Sequence, residues 1–166
     1  MRITRPRITI FVSYARANKV LAGNFLKRFH EQIRPARNYR YEFWQDGDIA
    51  VGEDWDVEIK KALDKCDLGL LLVSPAFLGS QYISEHELPR FVGEGAKPVI
   101  PIELQLVDKE LHDLKGLQYK QFFRLENERF AHPKAFGECR TGLQRDQFAL
   151  ELFRQVEMRL ERIYRR

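Results

Sequence analysis

The stretch LGLLLV, Leu68–Val73, and the SPAFLGSQYISEHEL that follows it, Ser74–Leu88, decide how this chain is read. A short unbroken apolar run bounded by turn residues predicts a strand buried on both faces. Ser74-Pro75 ends it, small and hydroxylated residues follow, and a carboxylate then appears where a helix should hide its apolar face. In open α/β sheets, ligands sit just past the carboxyl ends of such strands. Ser74 to Glu87 therefore occupies the place where such a fold does its work.

Working outward, strands and helices alternate. Arg7–Ser13 predicts strand one. Val20, Leu21, Phe25, Phe29 and Ile33 recur at helical spacing, with Pro35 just beyond. Tyr39–Trp44 predicts strand two, and a Gly- and Asp-rich loop runs from Gln45 to Asp54. Trp55, Ile59, Ala62 and Cys66 mark one face of helix two. Leu68–Val73 is strand three, and a third helix is expected from about Gln81 to Gly93. Pro98–Ile102 predicts a fourth strand, short or irregular because each proline lacks a ladder donor. Tyr119–Phe123 is a candidate fifth strand, and 127–142 reads as loop. Phe148, Leu152, Val156, Leu160 and Ile163 mark a last helix of about five turns. The expectation is an α/β, doubly wound, about five-stranded parallel sheet with helices on both faces.

The 166 residues, 44% apolar and 31% charged, suit one globular domain from residue 7 to 166 behind a basic arm, residues 1–6. No apolar run is long enough to cross a bilayer, and no apolar core of a secretory signal is visible. Cys66 and Cys139, without metal spacing, suit a reducing compartment, so a cytoplasmic location is expected. Of the net charge of +4, Arg2, Arg5 and Arg7 carry +3 and the segment from Arg154 to Arg166 another +3, which leaves −2 for the rest. A nucleic-acid surface needs a basic patch on the folded body. Basicity at the two ends reads instead as solvated termini or a junction to another module.

Several chemistries are excluded. Gly47 and Gly52 have P-loop spacing, but Glu53-Asp54 follows in place of Lys-Ser/Thr. No G-x-G-x-x-G and no G-x-S-x-G occurs. His30-Glu31 and His86-Glu87 lack the second histidine of a zinc motif, and the four scattered histidines predict no metal site. A phosphoacceptor receiver would need acids after strand one and an aspartate ending strand three. Those places hold Ser13-Tyr14 and Ser74.

Three strand ends remain, converging at the carboxyl edge. Strand one delivers Ser13, Tyr14 and Arg16, strand two Trp44 and Asp46, and strand three Ser74, Ser80, Tyr82 and the glutamates. Aromatic faces, hydroxyls, a cation and carboxylates together suit a nucleotide. Each also has a structural reading. Tyr14 and Trp44 can cap the core, Ser13 and Ser74 can start turns or helices, and Arg16 can be a solvated charge. On a wheel of about 100° per residue, Glu87 falls inside the apolar arc of Ile83, Phe91, Leu88 and Val92. Glu85 lies at the edge of that arc, and His86 and Pro89 lie opposite. Glu94 shares the arc but sits roughly 10 Å further along the axis. A carboxylate on an apolar face is a functional candidate or half of a structural ion pair with an arginine.

These residues resemble the TIR (Toll/interleukin-1 receptor) domain family, of the bacterial type. Ile10–Ala15 (IFVSYA) resembles its first box. Phe43–Trp55 (FWQDGDIAVGEDW) resembles the BB loop and its exit into the next helix. Leu72–Leu88 resembles the stretch that carries the catalytic glutamate, and Pro98–Ile102 the following strand. The match is good from Arg7 to about Glu103 and looser through the last helix. The resemblance implies a flavodoxin-like fold and cleavage of NAD+ to nicotinamide and ADP-ribose or a cyclic isomer. NAD+ would be substrate, with no cofactor or metal. It also implies activation by TIR–TIR self-association, a role in antiphage signalling, and a fused or associated sensor module beyond the abrupt basic end. Glu87 is the expected catalytic residue, with Glu85 as runner-up. Tyr82 and Trp44 would stack, with Ser13, Arg16 and Ser74 around ribose and phosphates. The alternative is a non-catalytic interaction module. Two departures stand out: Tyr82 where the family often has tryptophan, and Val51-Gly52 where it often has Pro-Gly.

Overall fold

A computed structural model describes residues 4–45, 52 and 54–164. Four parallel strands, β1 (Arg7–Ser13), β2 (Arg40–Trp44), β3 (Leu68–Val73) and β4 (Val99–Glu103), lie in the order β2-β1-β3-β4. That order is the flavodoxin-like one, with the topological switch between β1 and β3. Parallel neighbours need long crossovers, which the helices supply: α1 (Lys19–Ile33), α2 (Trp55–Lys65), the one-turn α3 (Pro75–Leu78), and α4 (Gly142–Tyr164) after the last strand.

Period-two alternation sorts the strands between two cores. Ile8, Ile10, Val12, Leu68, Leu70 and Leu72 face α1 and α4, where Phe25, Phe29, Phe136 and Phe148 pack ring against ring. Phe11, Leu71 and Val73 face α2 and the segment 75–91. β3 is buried along its whole length, as a strand covered on both sides must be.

Two expectations are corrected. Tyr119–Phe123 is not a fifth strand. Leu117–Tyr119 is a 3₁₀ turn, and Phe123 alone bridges β4, its N–H donating to Pro101 O (2.8 Å) and its carbonyl accepting from Glu103 N–H (3.0 Å). β4 itself is regular and wholly buried despite its prolines. It ends in Glu103, whose carboxylate pairs with Arg124 and accepts from Val107 N–H (3.1 Å). The expected helix from Gln81 to Gly93 is broken. Ile83–Glu87 forms a π turn, closed by Leu88 N–H donating to Ile83 O, and Leu88–Arg90 a 3₁₀ turn. Pro89 accounts for the break. It has no N–H, and its ring would strike the carbonyl four residues back in a regular helix. A wider turn moves that carbonyl aside.

The broken segment still seats firmly. Phe91 lies against β3 at Gly69, where an added Cβ would stand 2.4 Å from Phe91 Cε1 and 2.7 Å from Cζ. Neither ring nor strand can yield, because Phe91 is fully buried. Gly69→Ala is therefore expected to lower folding stability by about 1–3 kcal/mol, read from denaturant midpoints at unchanged m-value. Trimming the ring in Gly69→Ala/Phe91→Leu should recover part of that loss.

Candidate functional site

The switch between β1 and β3 opens at Ser13 and Ser74. Ser13 shares its sheet face with Phe11, opposite Leu71 of β3. Its side chain is 2% exposed, and Oγ meets no hydrogen-bond partner among the described residues. A buried orphan hydroxyl costs free energy on the order of 1–3 kcal/mol, so it marks a place worth inspecting.

Ser74 is employed within the protein. Its Oγ accepts from Phe77 N–H (3.0 Å), capping α3 with Pro75 at the first helical position. It also donates to Asn18 Oδ1 (2.5 Å), and Asn18 Nδ2 donates to Gln105 Oε1 (3.0 Å). This buried chain ties the loops after β1, β3 and β4 together. The sequence reading missed Asn18. It precedes α1 as an N-cap residue would, but makes no cap bond and turns its side chain across the sheet edge instead. Ser80 Oγ likewise accepts from Ile83 N–H (3.3 Å) and opens the turn that leads to Glu87.

Glu87 is 4% exposed and sits between Ile83 and Leu88, both buried in the core beneath α2. Glu85 points to solvent, where its carboxylate accepts from Gln81 Nε2 (2.9 Å). Burial thus separates the two glutamates and favours Glu87 as the candidate carboxylate. Tyr82 packs against the same core. Trp55 stands 4.9 Å from it and His86 4.6 Å, ring centre to ring centre. Trp44, at the end of β2, stacks on Phe11 at 5.1 Å with planes 11° apart. One face of Trp44 is therefore spent on the core, which is the capping reading.

Two expected partners stand apart. Tyr14 follows Ser13 and so points to the opposite face, against the α1–α4 core. Arg16 is exposed in a 3₁₀ turn before α1, with no ion pair among the described residues. Asp46 and nearly all of the loop that carries it lie outside the described residues. What the structure brings onto one face is Ser13, Trp44, Tyr82 and Glu87. That set holds an aromatic wall, a free hydroxyl and a carboxylate in largely apolar surroundings. It can grip a sugar ring and stabilise positive charge developing on it.

Ser74→Ala removes both a helix cap and one link of the buried chain. A loss of about 1–2 kcal/mol in unfolding free energy is expected. A double-mutant cycle with Asn18→Ala should be non-additive by at least about 0.5 kcal/mol, since the two side chains touch.

A family model of the TIR domain matches residues 10–134, which takes in the end of β1, all of β2 to β4 and every residue of this set. No curated protein matches the chain.

Proposed function

The chain belongs to the TIR domain family, and we propose that it cleaves NAD+ with Glu87 as the catalytic carboxylate. The observation that carries this reading is the burial of Glu87 on the sheet face that ends in the orphan hydroxyl of Ser13. Burying a carboxylate is expensive and is retained where the charge is used.

The chemistry suits a lone carboxylate. The bond from ribose C1′ to the pyridinium nitrogen breaks with its electron pair passing to that nitrogen, so nicotinamide leaves neutral and needs no general acid. The ribose passes through an oxocarbenium-like state. Glu87 stabilises that charge, more strongly where water is excluded. Water then adds at C1′ and releases one proton, giving ADP-ribose. A ring nitrogen of the adenine attacking in place of water gives a cyclic isomer. Tyr82 and the open face of Trp44 flank the ribose and nicotinamide, Ser13 meets a ribose hydroxyl, and Arg16 meets the phosphates. The active form is a TIR–TIR assembly. The biological output is depletion of NAD+ in a defence response, under a fused or associated sensor.

Wild type and Glu87→Gln, compared as concentrated or artificially clustered protein, should differ in nicotinamide release by roughly 10²-fold or more. Glu85→Gln should stay within a few-fold of wild type. Equal rates for wild type and Glu87→Gln would remove the enzyme reading and leave an interaction module.

A further inference from the structure

The opposite edge of the sheet carries a second feature. A cavity of about 230 Å³ opens between the last turn of α1, the start of β2 and the arm before β1. Arg5, Arg34 and Arg40 line it, with His30, Tyr39 and Tyr41. The cavity runs from Arg5 and Arg40 up to Phe43, and Tyr39, Tyr41 and Phe43 face the α1–α4 core while Trp44 and Tyr82 face the other, so the cavity is separate from the site described above.

Its chemistry favours an anion. Arg34 and Arg40 are exposed and have no ion pair among the described residues. Arg5 donates to Ala36 O, which holds the basic arm against the rim. The negative end of α1 lies close by and opposes an anion, but its carbonyls are partly covered: His30 O accepts from Arg34 N–H (3.0 Å) and Ile33 O from Ala36 N–H (3.1 Å). Glu42, two residues from Arg40 on β2, is paired with Arg7 (3.4 Å). Glu157 of α4 lies at the Tyr41 hydroxyl and pushes its pKa up behind burial. Asp67 Oδ2 is engaged by Thr9 N–H (2.8 Å). The end of α4 also arrives here, since Tyr164 senses Asp67 and Tyr39. Arg5, Arg34 and Arg40 are thus gathered at one edge, and a field of one sign there attracts anions.

The cavity also has aromatic walls and an unanswered polar atom. His30 Nε2 is buried without a hydrogen-bond partner among the described residues. Burial, and then Arg34, hold the imidazole below its ordinary pKa, so it stays neutral near pH 7 and its ring packs on Phe43 at 4.4 Å. Tyr39 and Tyr41 stand 6.0 Å apart, ring centre to ring centre. The volume lies below the ~300–1,000 Å³ of sites for drug-sized ligands, which suits a mononucleotide and excludes a dinucleotide.

We propose that this cavity is a second, non-catalytic site for a small ligand that joins a phosphoryl group to a planar ring, of the nucleoside monophosphate class. The guanidinium groups of Arg34 and Arg40 take the phosphoryl oxygens in the bidentate geometry that arginine favours. The tyrosine rings take the planar group, and His30 Nε2 receives one of its polar atoms.

Adenosine monophosphate is titrated into ¹⁵N-labelled protein, with adenosine and inorganic phosphate as separate probes. Saturable shifts are expected at the amides of His30–Arg34 and Tyr39–Tyr41. The monophosphate should bind more tightly than either fragment, and more weakly as salt rises. Arg34→Gln/Arg40→Gln should weaken it at least tenfold, while Arg34→Lys/Arg40→Lys retains an intermediate affinity. Both side chains are exposed, so an unchanged circular dichroism melt is expected in each variant. Absent binding, shifts confined to the carboxyl edge around Ser13 and Glu87, or equal affinity in the glutamine variant would each overturn the proposal. None of these results depends on whether the carboxyl edge cleaves NAD+, which the Glu87→Gln comparison tests separately.

Discussion

Phe91 occupies the space that a side chain on residue 69 would fill. Any residue larger than glycine there would push the ring off β3, a strand buried along its whole length. This contact fixes how deep the segment after β3 sits. Ile83, Leu88 and Phe91 all join the core beneath α2, and Glu87 goes down with them. The exposed pair between Arg90 and Asp64 tethers the same turn to α2. An exposed pair is worth little by itself. The ring against the glycine provides the depth, and the tether provides direction.

The route by which Glu87 becomes buried differs from the one its spacing suggests. A regular helix through Pro89 would set the proline ring against the carbonyl of Glu85. The chain opens one turn to π geometry instead, and Leu88 N–H reaches back five residues to Ile83 O. Such turns often sit at functional sites because they re-aim one side chain without moving the whole helix. Glu85 stays in solvent and Glu87 enters the core, although only His86 separates them. The proline that breaks the helix and the glutamate that enters the core belong to one device.

The sheet was legible because its signals are local. Leu68–Val73 is apolar without interruption, Arg7–Ser13 alternates, and both strands carry the ends expected of them. The last helix was legible from Phe148, Leu152, Val156 and Leu160 at four-residue spacing. What failed depends on tertiary partners. Phe123 extends the sheet by a single residue, which no period can announce. Prolines 98 and 101 predicted a short or irregular β4, and the strand is short, five residues, with Pro101 using its carbonyl for Phe123. Of the candidate site, the burial of Glu87 was legible from the wheel. Asn18 was not, because an asparagine before a helix reads as a cap. Its link to Ser74 spans 56 residues of sequence. Tyr14 was misplaced because strand ends were grouped by edge alone, and alternation puts neighbours on opposite faces.

A parallel sheet has two chemically different edges, and this chain uses the difference. All four strands deliver their carboxyl ends to one side, where Ser13 and Trp44 end their strands and the segment after β3 carries Tyr82 and Glu87. The other side receives the arm before β1, the end of α1 and the end of α4. The sequence alone shows +3 at each terminus and −2 between them, a pattern that reads as two solvated tails. Topology changes its meaning. Seven reversals, an odd number, return the end of α4 to the edge where β1 begins, and the electrostatic influence of Asp67 and Tyr39 on Tyr164 marks the arrival. Arg5 of the arm joins Arg34 and Arg40 at the rim of a single cavity on this edge. Solvated tails would need no cavity, and a cavity built only for packing would not gather guanidinium groups at its rim.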